Sequence, residues 1–210
     1  MKTLSLFVLA CCLSINGFSQ LRAVTENGDQ VVLFSNGSWE YEGEVAKDDV
    51  YIETNKKKFI KPENGSFLLK SSNVDLGFWL DPKVWTFKKS ADTEDTEYQM
   101  QLKGEDLYAM ILTEKVEIPL ENLKDIAYEN GKAVAPDLKI VQLEYRMVND
   151  LRVLFMQMNG TTQGIKFSYY GYYYSYEGGT VQYITYTSQN LLNEYQMQCE
   201  DLLNGLVDLK

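Results

Sequence analysis

A run of tyrosines between Ser168 and Gly179, reading SYYGYYYSYEGG, is the densest group of chemically distinctive side chains in this 210-residue sequence. A phenol combines a large rigid ring with a polar hydroxyl, which suits the recognition of a ligand or a protein partner. The same rings could instead fill a core, with their hydroxyls reaching water or backbone at its edge. The sequence allows both roles, a binding surface and a sheet covered by a helix.

Carboxylates are the other side chains whose density could support chemistry. The stretch DTEDTE, Asp92–Glu97, is the densest acidic cluster, and Glu105 and Asp106 follow it. A calcium loop supplies about six to eight oxygens and usually turns at a glycine. This stretch has no glycine and no EF-hand spacing. A solvated loop is the favoured interpretation, with weak cation binding and a two-carboxylate glycosidase site as alternatives.

Histidine is absent from the sequence. Its absence removes the usual general base, the Ser-His and Cys-His nucleophile systems and the commonest transition-metal ligand. No G-x-S-x-G, P-loop, G-x-G-x-x-G or C-x-x-C motif is present either. We expect a protein that is not an enzyme and that uses no cofactor and no metal.

The net charge of −10 at pH 7 narrows the possible partners. Binding to nucleic acid needs clustered lysine and arginine to neutralise phosphates, and anionic membrane surfaces attract the same clusters. We therefore expect no nucleic-acid partner. A net negative charge of this size is typical of a protein that self-repulsion keeps soluble. The expected partner is another envelope protein or a small ligand.

Residues 1–19 are predicted to be a signal peptide. Lys2 precedes an apolar stretch, Leu4–Leu13, and small residues precede a cleavage position after Ser19. About ten apolar residues are too few to cross a bilayer, which takes roughly twenty, so we expect no transmembrane segment. The predicted location is the periplasm or the extracellular space of a Gram-negative-type bacterium.

A second interpretation of the same segment remains open. The residues VLAC, Val8–Cys11, resemble the lipobox of bacterial lipoproteins, in which the cysteine carries the lipid. Under that alternative the protein would be anchored to the envelope through Cys11. Cleavage after Ser19 would instead leave Cys199 as the one cysteine. It lies in an apolar stripe at helical spacing, and we expect it to be buried and in no disulfide.

Three regions follow the signal peptide. Residues 20–42 contain Asn-Gly at 27–28 and 36–37, which predicts a small three-stranded β-meander. Its ending, NGSWEY, resembles a short β-hairpin unit found in exported bacterial proteins. Residues 43–65 are polar and read as a linker with one weak strand around 50–53. Residues 66–210 form the main domain.

The main domain is predicted to contain five short strands, a helix, four longer strands and a closing helix, in that order. Five strands are predicted in SFLLKSS, LGFWLDP, VWTFKKS, TEYQMQLKG and DLYAMILTEK. A helix follows in IPLENLKDIAYENG, with Leu120, Leu123, Ile126 and Ala127 on one stripe and Gly131 just past its end. A closing helix is predicted after Ser188, which could cap it. Its stripe contains Leu191, Leu192, Tyr195, Cys199, Leu202, Leu203 and Leu206.

Four strands between these helices predict an antiparallel meander with two-residue turns at 149–150, 159–160 and 178–179. This register makes one face apolar, with Leu143, Tyr145, Met147, Leu154, Met156, Ile165, Phe167, Tyr169, Tyr173, Ile184 and Tyr186. The opposite face begins with polar residues and ends in aromatic ones. The candidate binding residues lie there: Tyr170, Tyr172, Tyr174, Tyr176 and Tyr183.

The order of elements in residues 66–210 resembles the PsbP-like domain, an α/β/α sandwich first known from an extrinsic protein of photosystem II. The resemblance rests on LGFWLDPKVWTF, the helix IPLENLKDIAYENG, the meander from VQLEY to YITYT, and the closing helix NLLNEYQMQCEDLLNGL. It implies an α+β fold, an antiparallel sheet flanked by helices, and a non-enzymatic binding or assembly role.

We therefore expect an exported, non-catalytic binding or accessory module. An envelope lipoprotein with a scaffolding role is one alternative, and a carboxylate-based hydrolase is another.

Overall fold

The computed structural model describes residues 21–24, 30–33, 39–41, 52–90 and 96–210, in two compact units, Met1–Tyr51 and Ile52–Lys210. In the first unit, β1 (Leu21–Val24), β2 (Gln30–Leu33) and β3 (Trp39–Tyr41) form an antiparallel sheet in that order. This is the predicted meander. The predicted signal peptide, both Asn-Gly turns and most of the acidic stretch lie outside the described residues.

The second unit contains two sheets and two helices. Its elements are β4 (Thr54–Phe59), β5 (Phe67–Lys70), β6 (Leu76–Leu80), β7 (Trp85–Lys89), β8 (Thr96–Leu102), β9 (Leu107–Glu114), α1 (Leu120–Val134), β10 (Lys139–Val148), β11 (Leu151–Thr162), β12 (Ile165–Tyr176), β13 (Gly179–Ser188), α2 (Leu192–Leu203) and β14 (Leu206–Asp208). The larger sheet has eight strands in the order β4-β10-β11-β12-β13-β9-β8-β7, and the smaller one has the order β14-β6-β5.

The eight-stranded sheet separates two apolar cores, because successive residues of a strand point to opposite faces. On one face, Leu123 and Ala127 of α1 share a core with Leu154, Met156 and Tyr173. On the other face, α2 and the small sheet cover a core that includes Phe78, Phe155, Tyr172, Cys199 and Leu202. The result is an α+β sandwich with one helix on each face of the sheet.

The central meander has the predicted faces, although two of its turns lie elsewhere. The turn at Asn149–Asp150 is confirmed, and both residues have positive φ, 46° and 68°. The next turn lies at Gln163–Gly164 instead of 159–160, with φ of 49° and 80°. The last lies at 177–178 instead of 178–179, because Tyr176 pairs with Gly179. Asn159–Gly160 is absorbed into the long strand β11.

Strand β4 lies inside the predicted linker. It runs parallel to β10 as an edge strand of the large sheet, and it begins at Thr54, beyond the 50–53 segment that the sequence indicated. The compact second unit begins at Ile52, so residues 52–65 belong to it. The basic triplet Lys56–Lys58 lies on this strand with its side chains exposed.

The helices differ from expectation at their ends. Gly131 lies inside α1, which continues to Val134. A Cβ at this position would lie 2.5 Å from the Leu138 side chain, so the glycine allows close packing there. Ile126, predicted on the buried stripe, is 42% exposed. Ser188 belongs to β13 and does not cap α2. Leu206 belongs to β14.

Gly205 connects α2 to β14 at a point of close backbone approach. A Cβ there would lie 1.9 Å from the carbonyl oxygen of Trp79, whose amide donates to the Gly205 carbonyl at 2.8 Å. Only a residue without a Cβ fits this position. The glycine therefore allows α2 to end directly against β6.

Candidate functional site

The structure divides the five candidate tyrosines into two groups. Tyr170, Tyr172 and Tyr183 are at most 1% exposed and lie in the core beneath α2. This is the covered-sheet alternative that the sequence left open. Tyr174 and Tyr176 are only partly buried at the margin of that core.

A buried cation organises the hydroxyl ends of the covered tyrosines. Arg146 is 3% exposed, and its guanidinium carbon lies 3.6 Å from the ring centroid of Phe155 and 4.6 Å from that of Phe59. Its Nε donates to Oε1 of Glu144 at 2.6 Å. Asn55 of β4 donates to both oxygens of the same carboxylate at 3.1 Å. A cation so far from solvent is tolerated because it is paired and lies over aromatic rings.

The tyrosine hydroxyls connect this cation to α2. Tyr170 donates to Oε1 of Glu200 at 2.9 Å, and Tyr172 donates to Oδ1 of Asn204 at 2.9 Å. Arg146 Nη1 lies 3.5 Å and 3.4 Å from the same two hydroxyls. Burial raises the pKa of Tyr172 to about 12, so the phenol is neutral at physiological pH. The network attaches α2 to the sheet. The sequence did not indicate this network because Arg146 and Glu200 are far apart in the chain.

Tyr183, on β13, is also buried, but it lies outside the network around Arg146. Its ring packs edge-on against Phe78, with centroids 5.0 Å apart. Its hydroxyl has no hydrogen-bond partner in the described part of the chain. Burial raises the pKa of Tyr183 well above its ordinary value.

Tyr174 and Tyr176 form a stacked pair, with ring centroids 5.7 Å apart. The Tyr176 hydroxyl accepts a hydrogen bond from the Asp75 amide at 2.9 Å, and Lys210 Nζ lies 5.3 Å from its ring centroid. These partly exposed rings are where the predicted binding role of the tyrosine face can be tested. That role stays a prediction for all five residues.

Glu97, the last residue of the acidic stretch, serves as a buried acceptor. It is 5% exposed, and its carboxylate accepts from Ser71 Oγ at 2.6 Å, Ser72 Oγ at 2.8 Å and Thr113 Oγ1 at 2.7 Å, and also from the Ser72 amide. Burial alone would raise the pKa of this carboxyl, but the hydrogen bonds outweigh it and hold the pKa below its ordinary value. The residue ties the loop after β5 to strands β8 and β9.

An open part of the large sheet lies on the same face as α1. Helix α1 packs on β11 and β12. Beyond them, one cross-strand row continues from Tyr169 to Tyr186, Tyr108, Gln101 and Thr86, on five adjacent strands. Tyr108 and Tyr186 stack with centroids 5.5 Å apart, and Tyr169 meets Tyr186 edge-on at 6.1 Å. The row is therefore aromatic on β12, β13 and β9 and polar on β8 and β7.

A second row runs beside the first, with Ile184, Met110, Gln99 and Lys88 in register. The parts of both rows on β7 and β8, with Tyr108 and Tyr186, line a shallow depression of about 550 Å³. All of its lining residues belong to strands: Thr86, Phe87, Lys88, Gln99, Met100, Gln101, Tyr108 and Tyr186. We call this depression the open sheet face. Thr86, Lys88 and Gln101 are exposed, and Tyr108 and Tyr186 are partly so.

The sequence pattern predicts Tyr186 on the apolar face of the meander, but it does not indicate the open sheet face. The missing information was the pairing of β13 with β9, which are separated by α1 and three strands in the chain. A period-two pattern shows which residues of one strand share a face, but it does not show which strand lies beside it.

Residues 52–90 and 96–210, with the three short strands before them, contain no group of three or more Cys, Asp or Glu side chains placed to hold a metal ion. No helix in these ranges is long and apolar enough to cross a membrane.

Comparison with solved structures identifies the fold. The solution structure of cyanobacterial PsbP from Synechocystis sp. PCC 6803 is similar with a TM-score of 0.51 at 12% identity, covering 68% of this chain and 91% of that one. The second unit has a PsbP-like fold. The predicted α+β architecture is thereby confirmed, with strands and helices in the expected order.

Weaker similarity extends to other bacterial proteins. A Bacteroides thetaiotaomicron protein has a TM-score of 0.45 at 10% identity, covering 68% of this chain and 48% of that one. Pseudomonas aeruginosa PA94, a protein of unknown function, has a TM-score of 0.43 at 8% identity, covering 67% of this chain and 95% of that one. No protein-family model and no curated protein sequence matches the chain.

Proposed function

We propose that this protein is an exported, non-catalytic binding or accessory module that binds an envelope protein through the open sheet face of its PsbP-like domain. The observation that carries the proposal is the continuous row Tyr186, Tyr108, Gln101 and Thr86, which lies beside the strands that α1 covers and which no described element of the second unit covers. The tyrosine rings stack on one another and form a contiguous aromatic patch. Their partial exposure supports a role in recognition.

The chemistry of the face favours a protein surface as its partner. Tyrosine supplies rigid contact area with two rotatable bonds, and glutamine supplies a donor and an acceptor. Among the described residues that line the depression, Lys88 is the one with a charge. A broad floor with few charges resembles the centre of a protein–protein interface, where aromatic residues are enriched and most charged residues are depleted.

The environment of Glu97 argues against this residue as the general acid of a carboxylate-based hydrolase. A general acid needs a raised pKa at neutral pH. The Glu97 pKa is lowered instead, and its oxygens are occupied by donors from Ser71, Ser72 and Thr113. The scaffolding lipoprotein alternative uses the same face and differs only in how the chain is held in the envelope.

A binding experiment with matched tyrosine variants tests the proposal. The double variant Tyr108→Ala with Tyr186→Ala removes the centre of the open sheet face, while Tyr174→Ala removes a partly exposed ring from the other face. Proteins that co-purify from the envelope fraction are quantified against the unmodified chain. We expect recovery of a specific partner to fall by about tenfold or more in the double variant, because central aromatic contacts dominate interface energies.

The control decides between the two surfaces. Retention of the partner by the Tyr174→Ala chain supports the open sheet face, provided that all variants have unchanged circular dichroism. Loss of the partner with Tyr174→Ala alone would transfer the site to the tyrosine face predicted from sequence. Mass spectrometry of the exported chain tests the location: we expect it to start at Gln20, and a lipid on Cys11 would support the lipoprotein alternative.

A further inference from the structure

Tyr108 and Tyr186 form a cross-strand pair of phenols at the surface of the large sheet. The two residues lie directly opposite each other on β9 and β13, and their rings stack with centroids 5.5 Å apart and planes inclined by 21°. Both rings are partly exposed and line the depression of the open sheet face. A small molecule in solvent can therefore reach both rings without any unfolding of the sheet.

The Tyr108 hydroxyl has a proton acceptor beside it. A hydrogen bond to the side chain of Asp106, with burial and the Asp106 charge as smaller causes, raises the pKa of Tyr108 above its ordinary value. The phenol is therefore neutral at physiological pH and donates to an exposed carboxylate. One-electron oxidation of a neutral phenol releases the hydroxyl proton. A carboxylate that already accepts the hydrogen bond is placed to take that proton.

A second stacked pair provides a comparison within the same chain. Tyr174 and Tyr176 stack with centroids 5.7 Å apart and planes inclined by 16°, and both rings are partly exposed. The Tyr176 hydroxyl accepts a hydrogen bond from the Asp75 amide. Neither hydroxyl of this pair donates to a carboxylate within the described part of the chain. The two pairs therefore share their ring geometry and differ in the proton acceptor.

We propose that Tyr108 and Tyr186 are an oxidative modification site, at which a peroxide-driven one-electron oxidant couples the two rings into an intrachain dityrosine. Each phenol loses one electron and its hydroxyl proton, and the two phenoxyl radicals join through their ortho carbons. Each ortho carbon then releases its hydrogen as a proton to restore the phenol. In total two electrons and two protons leave, and they reduce one peroxide molecule to two waters.

Proximity gives this coupling its selectivity. Two radicals held on neighbouring strands react within one molecule, so they need no encounter between chains. The product would join β9 to β13 covalently across the open sheet face. This modification goes beyond the proposed protein-binding role and does not depend on it.

Oxidation of the full chain by a haem peroxidase and hydrogen peroxide tests the proposal. The treated chain is digested with trypsin, and cross-linked peptides are quantified by mass spectrometry. We expect a product that joins residues 104–115 to residues 167–210 and is two hydrogens lighter than the two peptides together. It should exceed the Tyr174–Tyr176 product, which lies within 167–210, by at least about tenfold, because a positioned base assists proton transfer.

Variants that keep the shape of each side chain identify the groups responsible. Tyr108→Phe and Tyr186→Phe should each abolish the product, because a ring without a hydroxyl forms no phenoxyl radical. Asp106→Asn, which accepts no proton, should lower the yield several-fold. Glu114→Gln removes an exposed carboxylate at the other end of β9 and should leave the yield unchanged. Equal losses in Asp106→Asn and Glu114→Gln, equal yields from the two tyrosine pairs, or cross-links formed only between chains would overturn the inference.

Discussion

The guanidinium carbon of Arg146 lies 3.6 Å from the ring centroid of Phe155, within a core that α2 closes. Arg146 belongs to β10 and Phe155 to β11, and the two residues lie on the same face of paired strands. The cation reaches Glu144 on its own strand and the hydroxyls of Tyr170 and Tyr172 on β12. The arrangement explains why a face so rich in phenols can be buried.

Replacing Arg146 should destabilise the domain strongly. Arg146→Met removes the cation and leaves the Glu144 carboxylate with Asn55 but without its cationic partner, so we expect the free energy of unfolding to fall by about 3 kcal/mol. Urea denaturation measures the change. Arg152→Met is the matched control, because Arg152 is exposed although its guanidinium lies 3.7 Å from the Tyr145 ring centroid. Equal effects of the two substitutions would contradict a special role for the buried cation.

Truncating the candidate tyrosines to alanine should lower the stability of the domain by different amounts at buried and at partly exposed positions. Tyr172→Ala empties a fully buried site, and we expect a loss of about 3–5 kcal/mol, or roughly 10 °C in melting temperature. Tyr174→Ala removes a partly exposed ring and should cost about 1 kcal/mol. Thermal unfolding by circular dichroism measures both. A Tyr172→Ala chain as stable as the Tyr174→Ala chain would mean that Tyr172 is not part of the core.

Removing single hydroxyls should change stability in opposite directions. Tyr183→Phe removes a buried hydroxyl with no partner in the described chain, so we expect the free energy of unfolding to rise by about 1 kcal/mol. Tyr170→Phe removes the donor to Glu200 and should lower it by about 1 kcal/mol. Chemical denaturation of the pair tests the hydrogen-bond assignment. A destabilised Tyr183→Phe chain would indicate that its hydroxyl is bonded in solution.

The Glu97 carboxylate should make stability depend on acid pH. Its folded-state pKa lies below the ordinary value near 4.5, so its contribution is complete above that value and is lost as the pH falls through the folded pKa. Glu97→Gln should cost about 2–3 kcal/mol at pH 7, and this cost should decrease as the pH is lowered below 4.5. Glu114→Gln, on an exposed residue of β9, is the control. A pH-independent effect of Glu97→Gln would contradict the ionised, hydrogen-bonded carboxylate.

The Cys199 thiol should resist modification in the folded protein. It is 0% exposed, and burial raises its pKa to about 11, so little thiolate forms at neutral pH. We expect a maleimide reagent to label Cys199 only after denaturation, as measured by peptide mass spectrometry. Cys199→Ala identifies the labelled peptide. Rapid labelling of the native chain at this residue would disprove its burial.

Local sequence was sufficient for most of the strands, for the existence of the two helices and for the faces of the central meander, but not for β14 or for the bounds of β4. The predicted faces were correct even where the predicted turns were not. In any two-residue hairpin each pair joins an odd-numbered and an even-numbered residue, so the same residues share a face wherever the turn lies. Moving such a turn from 159–160 to 163–164 slides one strand along the other without turning either over. Burial of Cys199 followed in the same way from the helical stripe on α2.

Tertiary structure alone decided what covers each face. Whether Tyr170 and Tyr172 are core or surface depended on where α2 lies, and Arg146 and Glu200 came together only through that packing. The open sheet face likewise exists because β9 pairs with β13 across a long stretch of chain. Periodicity along a strand reports the orientation of its own side chains. The identity of neighbouring strands and helices is set by contacts between distant segments, which periodicity does not encode.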